Sequence, residues 1–237
     1  MKTIASAPLA ENVMMPQYDR QQLKTRIVHF GFGAFHRAHQ ALLTDRVLNA
    51  QGGDWGICEI SLFSGDRLMS QLREQDHLFT VLEKGANGNQ PIVIGSVNEC
   101  LNARLDSLAA IIEKFCEPQV AIVSLTITEK GYALQKADGT WFPFVEADIK
   151  NGPDKATGAM AVLVAMLLTR YKAGKYPIAL VSMDNCSQNG AKLRESVLTM
   201  AEEWKKAGFV DDDFMAYVSD EKTVAFPWTM IDKIDRK

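Results

Sequence analysis

The chain has 237 residues, 47% of them hydrophobic and 23% charged, which is enough to bury the core of one large domain or two small ones. A formal net charge of −3 excludes the broad basic surface of a nucleic-acid-binding protein. The four cysteines lack the spacing of a zinc or redox pair, so we expect reduced thiols in a cytoplasmic protein.

In chain order, the sequence predicts alternating strands and helices after a polar N-terminal arm, residues 1–25. Apolar periodicity and β-rich runs predict a strand at 26–30, a helix at 34–49, a strand at 55–63, a helix that opens at 64–66 and ends at about 74, and a hairpin from 78–83 and 92–97. Ser64 or Asp66 is the expected cap of the second helix. The same signals predict a helix at 107–116, a strand at 120–125, a long excursion at 133–153, a helix at 155–172, a strand at 178–183, a helix at 188–207 and a short helix with a loop at 210–224. The most apolar stretch, residues 156–169, is shorter than the roughly 18 residues of a membrane span and predicts a buried helix. Together these elements predict an α/β, doubly wound fold with a mostly parallel sheet and a β-hairpin insertion.

The strongest local motif is RIVHFGFGAFHRAHQA, which runs from a predicted strand through a glycine turn into a helix. A dinucleotide-binding turn requires this context. Gly31 permits the tight turn, and Gly33 lets the backbone approach a pyrophosphate, which then faces the amides of the first helical turn. His36 stands where the usual fingerprint has a third glycine or alanine, so an ordinary glycine turn is the alternative.

A ribose-binding acid is expected at the end of the second strand. Asp66 lies where that strand gives way to the next helix, whereas Glu59 lies within the strand and can point into either face of the sheet. Asp66 is the preferred candidate, although it is also a plausible helix cap without any ligand.

Three histidines, His29, His36 and His39, lie close together in sequence and raise the possibility of a metal-dependent enzyme. No cysteine, aspartate or glutamate completes a recognisable ligand set beside them, so we expect helix packing or phosphate contact and no metal. A serine hydrolase is not supported either, because the chain has no Gly-x-Ser-x-Gly motif.

Two polar segments, SLTITEKGY at 124–132 and SMDNCSQNG at 182–190, directly follow predicted buried strands. Open α/β sheets bind ligands at the edge where such segments lie. Turn formation without a ligand explains the same residues, since Asp-Asn and Asn-Gly are common in loops.

With FPWTMIDKI at 226–234, these segments form four ordered motifs, and the chain resembles the long-chain mannitol dehydrogenase family. Residues 26–132 are most similar to its fructuronate reductase (mannonate oxidoreductase) branch. The resemblance implies a Rossmann-type domain over 26–237, a helical C-terminal domain beyond it, and NAD-dependent or NADP-dependent oxidation of a polyol or sugar acid by a monomeric, metal-independent enzyme. An acid at position 66 repels a 2′-phosphate and favours NAD.

The resemblance also implies roles for individual residues. Those on the cofactor are Gly31, Gly33, Ala34 and Phe35 at the pyrophosphate and adenosine, Asp66 at the ribose, and Thr126 and Thr128 at the nicotinamide. Asn185 matches an asparagine that hydrogen-bonds the reacting oxygen, and Asp232 matches an aspartate near the substrate. Lys233 replaces an arginine usual in the family, which removes a bidentate contact.

The family places a lysine general base and an Asn-Gly-x-His segment beyond the last motif, and this sequence contains no counterpart. Lys130 lies in a motif where the family does not place its base. We therefore expect a portion that stops before the complete active site, binds NAD weakly, turns over poorly and self-associates through an exposed apolar face. A non-catalytic dinucleotide-binding module is the alternative.

Overall fold

The computed structural model describes residues 4, 6, 8–62, 64–86 and 88–231. The chain divides into two compact units, Met1–Ile111 and Ile112–Asp232. Helix α4 (Leu108–Cys116) carries the sequence from the first unit into the second.

The first unit is built on three parallel strands, with β2 paired to β1 on one side and to β5 on the other. Its elements are β1 (Lys24–Phe30), α1 (Ala34–His36), a π-helical turn (Arg37–Ala41), α2 (Leu42–Gln51), β2 (Trp55–Ser61), α3 (Asp66–Glu74), β3 (Phe79–Gly85), β4 (Gly88–Ile94) and β5 (Val97–Asn102). Strands β3 and β4 form a separate antiparallel hairpin. Consecutive residues of β2, Gly56 to Ile60, are buried, as is typical of a parallel strand that is covered on both faces.

Part of the N-terminal region is fixed to the first unit. Met14 forms a bridge with Ile92 of β4, and the Tyr18 hydroxyl donates a 2.6 Å hydrogen bond to Asp45 of α2. Strand β1 begins at Lys24, two residues before the predicted start, because Lys24 already pairs with Trp55.

The second unit also has three parallel strands, with β7 paired to β6 and to β8. Its elements are β6 (Ile122–Leu125), α5 (Pro143–Asn151), α6 (Ala159–Gly174), β7 (Ile178–Ser182), α7 (Asn189–Lys206), α8 (Asp212–Ser219) and β8 (Val224–Ala225). Nine residues of α6 are buried, which confirms the buried helix predicted from its apolar sequence. Within the described ranges, none of the helices combines the length and the hydropathy that crossing a membrane would need.

The predicted α/β, Rossmann-type fold is confirmed, with local differences. The two-residue strand β8 was not predicted, because it lies at the end of the predicted short helix and loop. Strand β5 (Val97–Asn102) was not predicted, because residues 92–97 were all assigned to the second strand of the hairpin. In the structure that strand ends at Ile94, and the residues from Val97 onward pair with β2. Helix α5 lies within the predicted excursion at 133–153 and begins at Pro143, which suits a first helical turn.

Candidate cofactor site

The turn after β1 leaves open space in front of a helix N-terminus. Gly31 has a φ of 112°, a backbone conformation that favours glycine. Gly33 is the N-cap residue of α1, is exposed, and provides no side-chain hydrogen bond to the first helical turn. Apart from its two chain neighbours, no atom of the described residues lies within 4 Å of the position that a Cβ of residue 33 would take, so these residues do not require glycine there. Glycine at this position instead suits the close approach of a ligand to the backbone.

Ring contacts hold this turn in place. Phe32 is buried and meets Phe79 edge-on with ring centroids 5.3 Å apart. The guanidinium of Arg37 lies 5.4 Å from the Phe32 ring centroid, within cation–π range. Ala34 and Phe35 are half-buried in the first turn of the helix, where amides have no intrahelical acceptor. An anion placed against Gly33 can accept hydrogen bonds from these amides.

Behind the turn lies a buried cluster of His29, His36 and Glu59. His29 of β1 pairs in register with Glu59 of β2, and its Nε2 donates to the Gly31 carbonyl at 3.0 Å. The His29 and His36 rings stack with centroids 3.5 Å apart, and His36 Nε2 lies 2.5 Å from Glu59 Oε1. The cluster therefore links β1, β2 and the helix that follows the glycine turn.

Burial disfavours the charged forms of these three side chains. Desolvation raises the pKa of Glu59 to about 8 and lowers the pKa of His36 and of His29 to about 3. Glu59 Oε2 is buried without a hydrogen-bond partner in the described part of the chain, which an ionised carboxylate would not tolerate. The arrangement that fits is a protonated Glu59 that donates its proton to neutral His36.

The same three residues are a group whose possible ligand atoms lie within 4.8 Å of one another. Their geometry suits hydrogen bonding better than metal binding. A histidine binds metal through a lone pair in its ring plane, and rings stacked at 14° cannot both aim at one ion in that way. His39 is directed elsewhere, with its ring stacked on Phe35 at 4.9 Å.

The two candidate ribose acids differ in accessibility. Glu59 is fully buried and bonded to His36, so it does not face solvent. Asp66 is the first residue of α3, follows Gly65 with its φ of 84°, and has a side chain that is 50% exposed. Arg104 Nη1 lies 3.6 Å from its carboxylate. Of the two acids, Asp66 is the one that a ligand can reach.

In the second unit, the segments that follow β6 and β7 are tied together by Asp184. Its carboxylate accepts the amides of Ile127 and Thr128, both at 3.0 Å, and the Tyr132 hydroxyl at 2.6 Å. Tyr132 is buried, and its hydroxyl also lies 2.8 Å from Ser182 Oγ. Desolvation, together with the neighbouring Asp184, raises the pKa of Tyr132. The sequence singled out both segments but not the pair of residues that joins them.

Thr126, Thr128 and Asn185, which were expected at the nicotinamide and the reacting oxygen, belong to these joined segments. Thr126 is half-buried, whereas Thr128 and Asn185 are exposed. Asn185 directly follows Asp184, so the position of its backbone depends on the Asp184 hydrogen bonds. Asp232 and Lys233 lie outside the described residues.

Asn189 connects the start of α7 to the last motif. Its side-chain nitrogen donates to Thr229 Oγ1 at 2.6 Å and to the Asp184 carbonyl at 3.2 Å, and its Oδ1 accepts the Thr229 amide at 3.1 Å. This residue is buried, and sequence reasoning did not identify it. Its position at the first turn of a predicted helix, after a polar loop, is the available signal.

Comparison with known proteins identifies the family. The model of the mannitol dehydrogenase Rossmann domain matches residues 25–236, nearly the whole chain. The chain belongs to the mannitol dehydrogenase family. Both the predicted resemblance and the Rossmann-type fold are thereby confirmed.

Relatives of known name are about twice as long as this chain. The uncharacterized oxidoreductase YeiQ of Escherichia coli is 59% identical over 99% of this chain and 47% of its own length. D-mannonate oxidoreductase of the same organism is 39% identical over 99% of this chain and 47% of its own length. The structure of Pseudomonas fluorescens mannitol 2-dehydrogenase with NAD and D-mannitol superposes with a TM-score of 0.80 and 35% identity, covering 92% of this chain and 43% of that one. The chain spans slightly less than half of the length of these relatives.

Proposed function

We propose that this chain binds NAD and forms the cofactor-binding portion of a dehydrogenase that acts on a sugar alcohol or sugar acid. The observation that carries the proposal is Gly33, which is exposed at the N-cap of α1. Apart from its two chain neighbours, no atom of the described residues lies within 4 Å of the position of a Cβ there, so a ligand can approach the backbone closely. The relative solved with NAD and D-mannitol, and the relatives named D-mannonate oxidoreductase, support the ligand classes.

Residues of the first unit hold the adenosine half in this proposal. Gly31 and Gly33 shape the turn beside the pyrophosphate, since their own amides donate to the Ile60 and Gly31 carbonyls. The amides of Ala34 and Phe35 donate to the pyrophosphate, and Asp66 accepts from the ribose hydroxyls. The exposed Asp66 carboxylate disfavours a 2′-phosphate, which is the basis for proposing NAD rather than NADP.

Residues of the second unit act at the reacting end. When bound, the dinucleotide would exchange a hydride with a secondary alcohol, as in mannonate/fructuronate or mannitol/fructose interconversion, while a general base, which the family places beyond the last motif, would take the alcohol proton. Thr126 and Thr128 orient the nicotinamide. The Asn185 amide donates to the substrate oxygen as negative charge develops there, and Asp232 contacts the substrate.

The proposal is tested by calorimetric titration with NADH, together with turnover assays on D-mannonate, D-fructuronate, D-mannitol and D-fructose. We expect this chain to bind NADH. In a complete dehydrogenase that contains this portion, we expect Asn185→Ala to reduce turnover roughly 100-fold and to leave NADH affinity within about twofold of the parent. Lack of NADH binding by the folded chain would refute the proposal. NADH binding without turnover fits both a portion of a longer dehydrogenase and a non-catalytic dinucleotide-binding module, and robust turnover would exclude the module.

A further inference from the structure

The backbone of Thr128 adopts a conformation that its own side chain disfavours. Its φ is 67° and its ψ is 158°, a region occupied almost only by glycine and unfavourable above all for a β-branched residue. Such a conformation persists only when surrounding contacts hold it. Thr128 is exposed, so packing around its side chain cannot supply those contacts.

The contacts that hold Thr128 come from Asp184. Asp184 Oδ1 accepts the Thr128 amide, and Oδ2 accepts the amide of the preceding Ile127, each at 3.0 Å. Tyr132, which follows one helical turn later, donates its hydroxyl to the same Oδ2 at 2.6 Å. Both ends of the 127–132 segment are therefore bonded to one carboxylate.

This carboxylate lies at the ligand-binding edge of its sheet. Strands β6 and β7 are parallel neighbours, with Leu125 paired to Ser182, and both bonded segments follow their carboxyl ends. Open α/β folds bind ligands at this edge. The Thr128 side chain is exposed there, while Tyr132 is buried behind it and is anchored to Ser182 Oγ at 2.8 Å.

We propose that Asp184 and Tyr132 are positioning residues for the nicotinamide end of the dinucleotide, because they fix the strained backbone of Thr128 against which that end packs. This inference rests on the proposed function. Neither residue touches the cofactor in this account. Their effect reaches it through the conformation of the 127–132 segment.

The experiment compares NADH with ADP-ribose, which contains the adenosine and pyrophosphate but lacks the nicotinamide. Both affinities are measured for the full chain and for Asp184→Asn, in which one carboxylate oxygen becomes an amide nitrogen that cannot accept. We expect Asp184→Asn to weaken NADH binding roughly tenfold and to leave ADP-ribose binding within about twofold. Equal loss for both ligands, or no loss for either, would overturn the inference.

A second variant separates positioning from a general structural role. Glycine adopts the backbone conformation of residue 128 without strain, so the Asp184 hydrogen bonds should matter less in a Thr128→Gly background. In that background we expect Asp184→Asn to cost less than about threefold in NADH affinity, a coupling that a double-mutant cycle measures. The same cost in both backgrounds would contradict the proposed role of Thr128.

Tyr132→Phe is the test variant if Asp184→Asn does not fold, because it retains the Asp184 carboxylate and the hydrogen bonds that this carboxylate accepts from backbone amides. Its matched control is Tyr18→Phe, since the Tyr18 hydroxyl donates to Asp45 at the same 2.6 Å in the first unit. We expect Tyr132→Phe alone to reduce the preference for NADH over ADP-ribose, and equal effects of the two variants would overturn the inference. Failure of the unmodified chain to bind either ligand would instead refute the proposed function.

Discussion

Glu59 lies on β2 with its carboxyl group fully buried against His36. Its raised pKa, about 8, gives the unfolding free energy a pH dependence of known sign. A protonated buried acid contributes its full stability below the ordinary carboxyl pKa and loses it as the pH rises through about 8. The lowered pKa of His36 acts in the opposite sense, because stability is lost as the pH falls below the ordinary histidine value towards about 3.

We predict that the stability of the parent relative to Glu59→Gln falls as the pH rises from about 5 to about 8, by on the order of 1 kcal/mol per pH unit. Glutamine keeps a hydrogen bond to His36 but cannot ionise, and the contribution of the histidines is common to both proteins. Urea unfolding at several pH values measures this difference. If the unfolding free energy of the parent minus that of Glu59→Gln were constant or increased over this pH range, Glu59 would be ionised in the folded chain.

Asp66 gives a prediction about cofactor choice. Asp66→Ala should weaken NADH binding roughly tenfold, because the ribose hydroxyls lose an acceptor. It should also strengthen NADPH binding, since Arg104, now 3.6 Å from the carboxylate, becomes available to a 2′-phosphate. Calorimetric titration with both cofactors measures the change, and Glu83→Ala, another half-exposed acid in an ion pair, is the control. An unaltered ratio of NADH affinity to NADPH affinity would show that Asp66 does not bind the ribose.

At this scale the sequence predicted the glycine turn but not its support. Gly31 and Gly33 are recognisable because strand, turn and helix are contiguous in the sequence. The bond between His36 and Glu59 depends on the pairing of β1 with β2, which brings together residues that are 23 positions apart. Polar residues within apolar strands, such as His29 and Glu59, were the signal available. Asp184 and Tyr132, 52 positions apart, have no comparable local pattern.

Among the helices and strands, segments with an apolar stripe or a continuous β-rich run were predictable, whereas β5 and α5 were not. Helices α6 and α7 agree with their predictions because an apolar stripe of several turns is unambiguous. Strand β5, with the sequence VNECLN, has few β-rich residues, and its existence depends on the exposed edge of β2. Helix α5 is short and flanked by turn formers, so tertiary packing decides it, including the 3.0 Å bond from buried Trp204 to the Asp148 carbonyl.

Arg170 connects helix α6 to the chain segments that precede β6 and β7. Its buried guanidinium donates five hydrogen bonds of 2.7 to 3.0 Å to main-chain carbonyls, those of Phe115, Glu117, Val120, Tyr176 and Pro177. A buried carbonyl that loses its donor costs about 1–3 kcal/mol. The second unit therefore depends on this one side chain at several points.

We predict that Arg170→Leu lowers the free energy of unfolding by at least about 3 kcal/mol, measured by urea denaturation. The control is Arg46→Leu, which removes an exposed ion pair with Glu83 and should cost about 0–1 kcal/mol. Equal losses for the two variants would show that the Arg170 hydrogen bonds are not needed for stability.

At the scale of the whole molecule, a chain with a net charge of −3 is proposed to bind an anionic dinucleotide. The backbone amides at a helix N-terminus can bind the phosphates without a basic surface, because they attract an anion directly at the first helical turn. A ligand that binds the folded chain and not the unfolded one also raises its stability. Binding of NADH should therefore be visible both as heat on titration and as a higher melting temperature.

The most direct test of this account is NADH titration of Gly33→Val. Gly33 has an ordinary φ of −78° and open space around its Cβ position, so the variant should fold like the parent. Gly85→Val, where a Cβ has only an ordinary 3.8 Å contact, controls for the added side chain. The account predicts that the parent and Gly85→Val bind NADH equally, and that Gly33→Val binds it at least about tenfold more weakly. Undiminished NADH binding by folded Gly33→Val would contradict a cofactor seated on this turn.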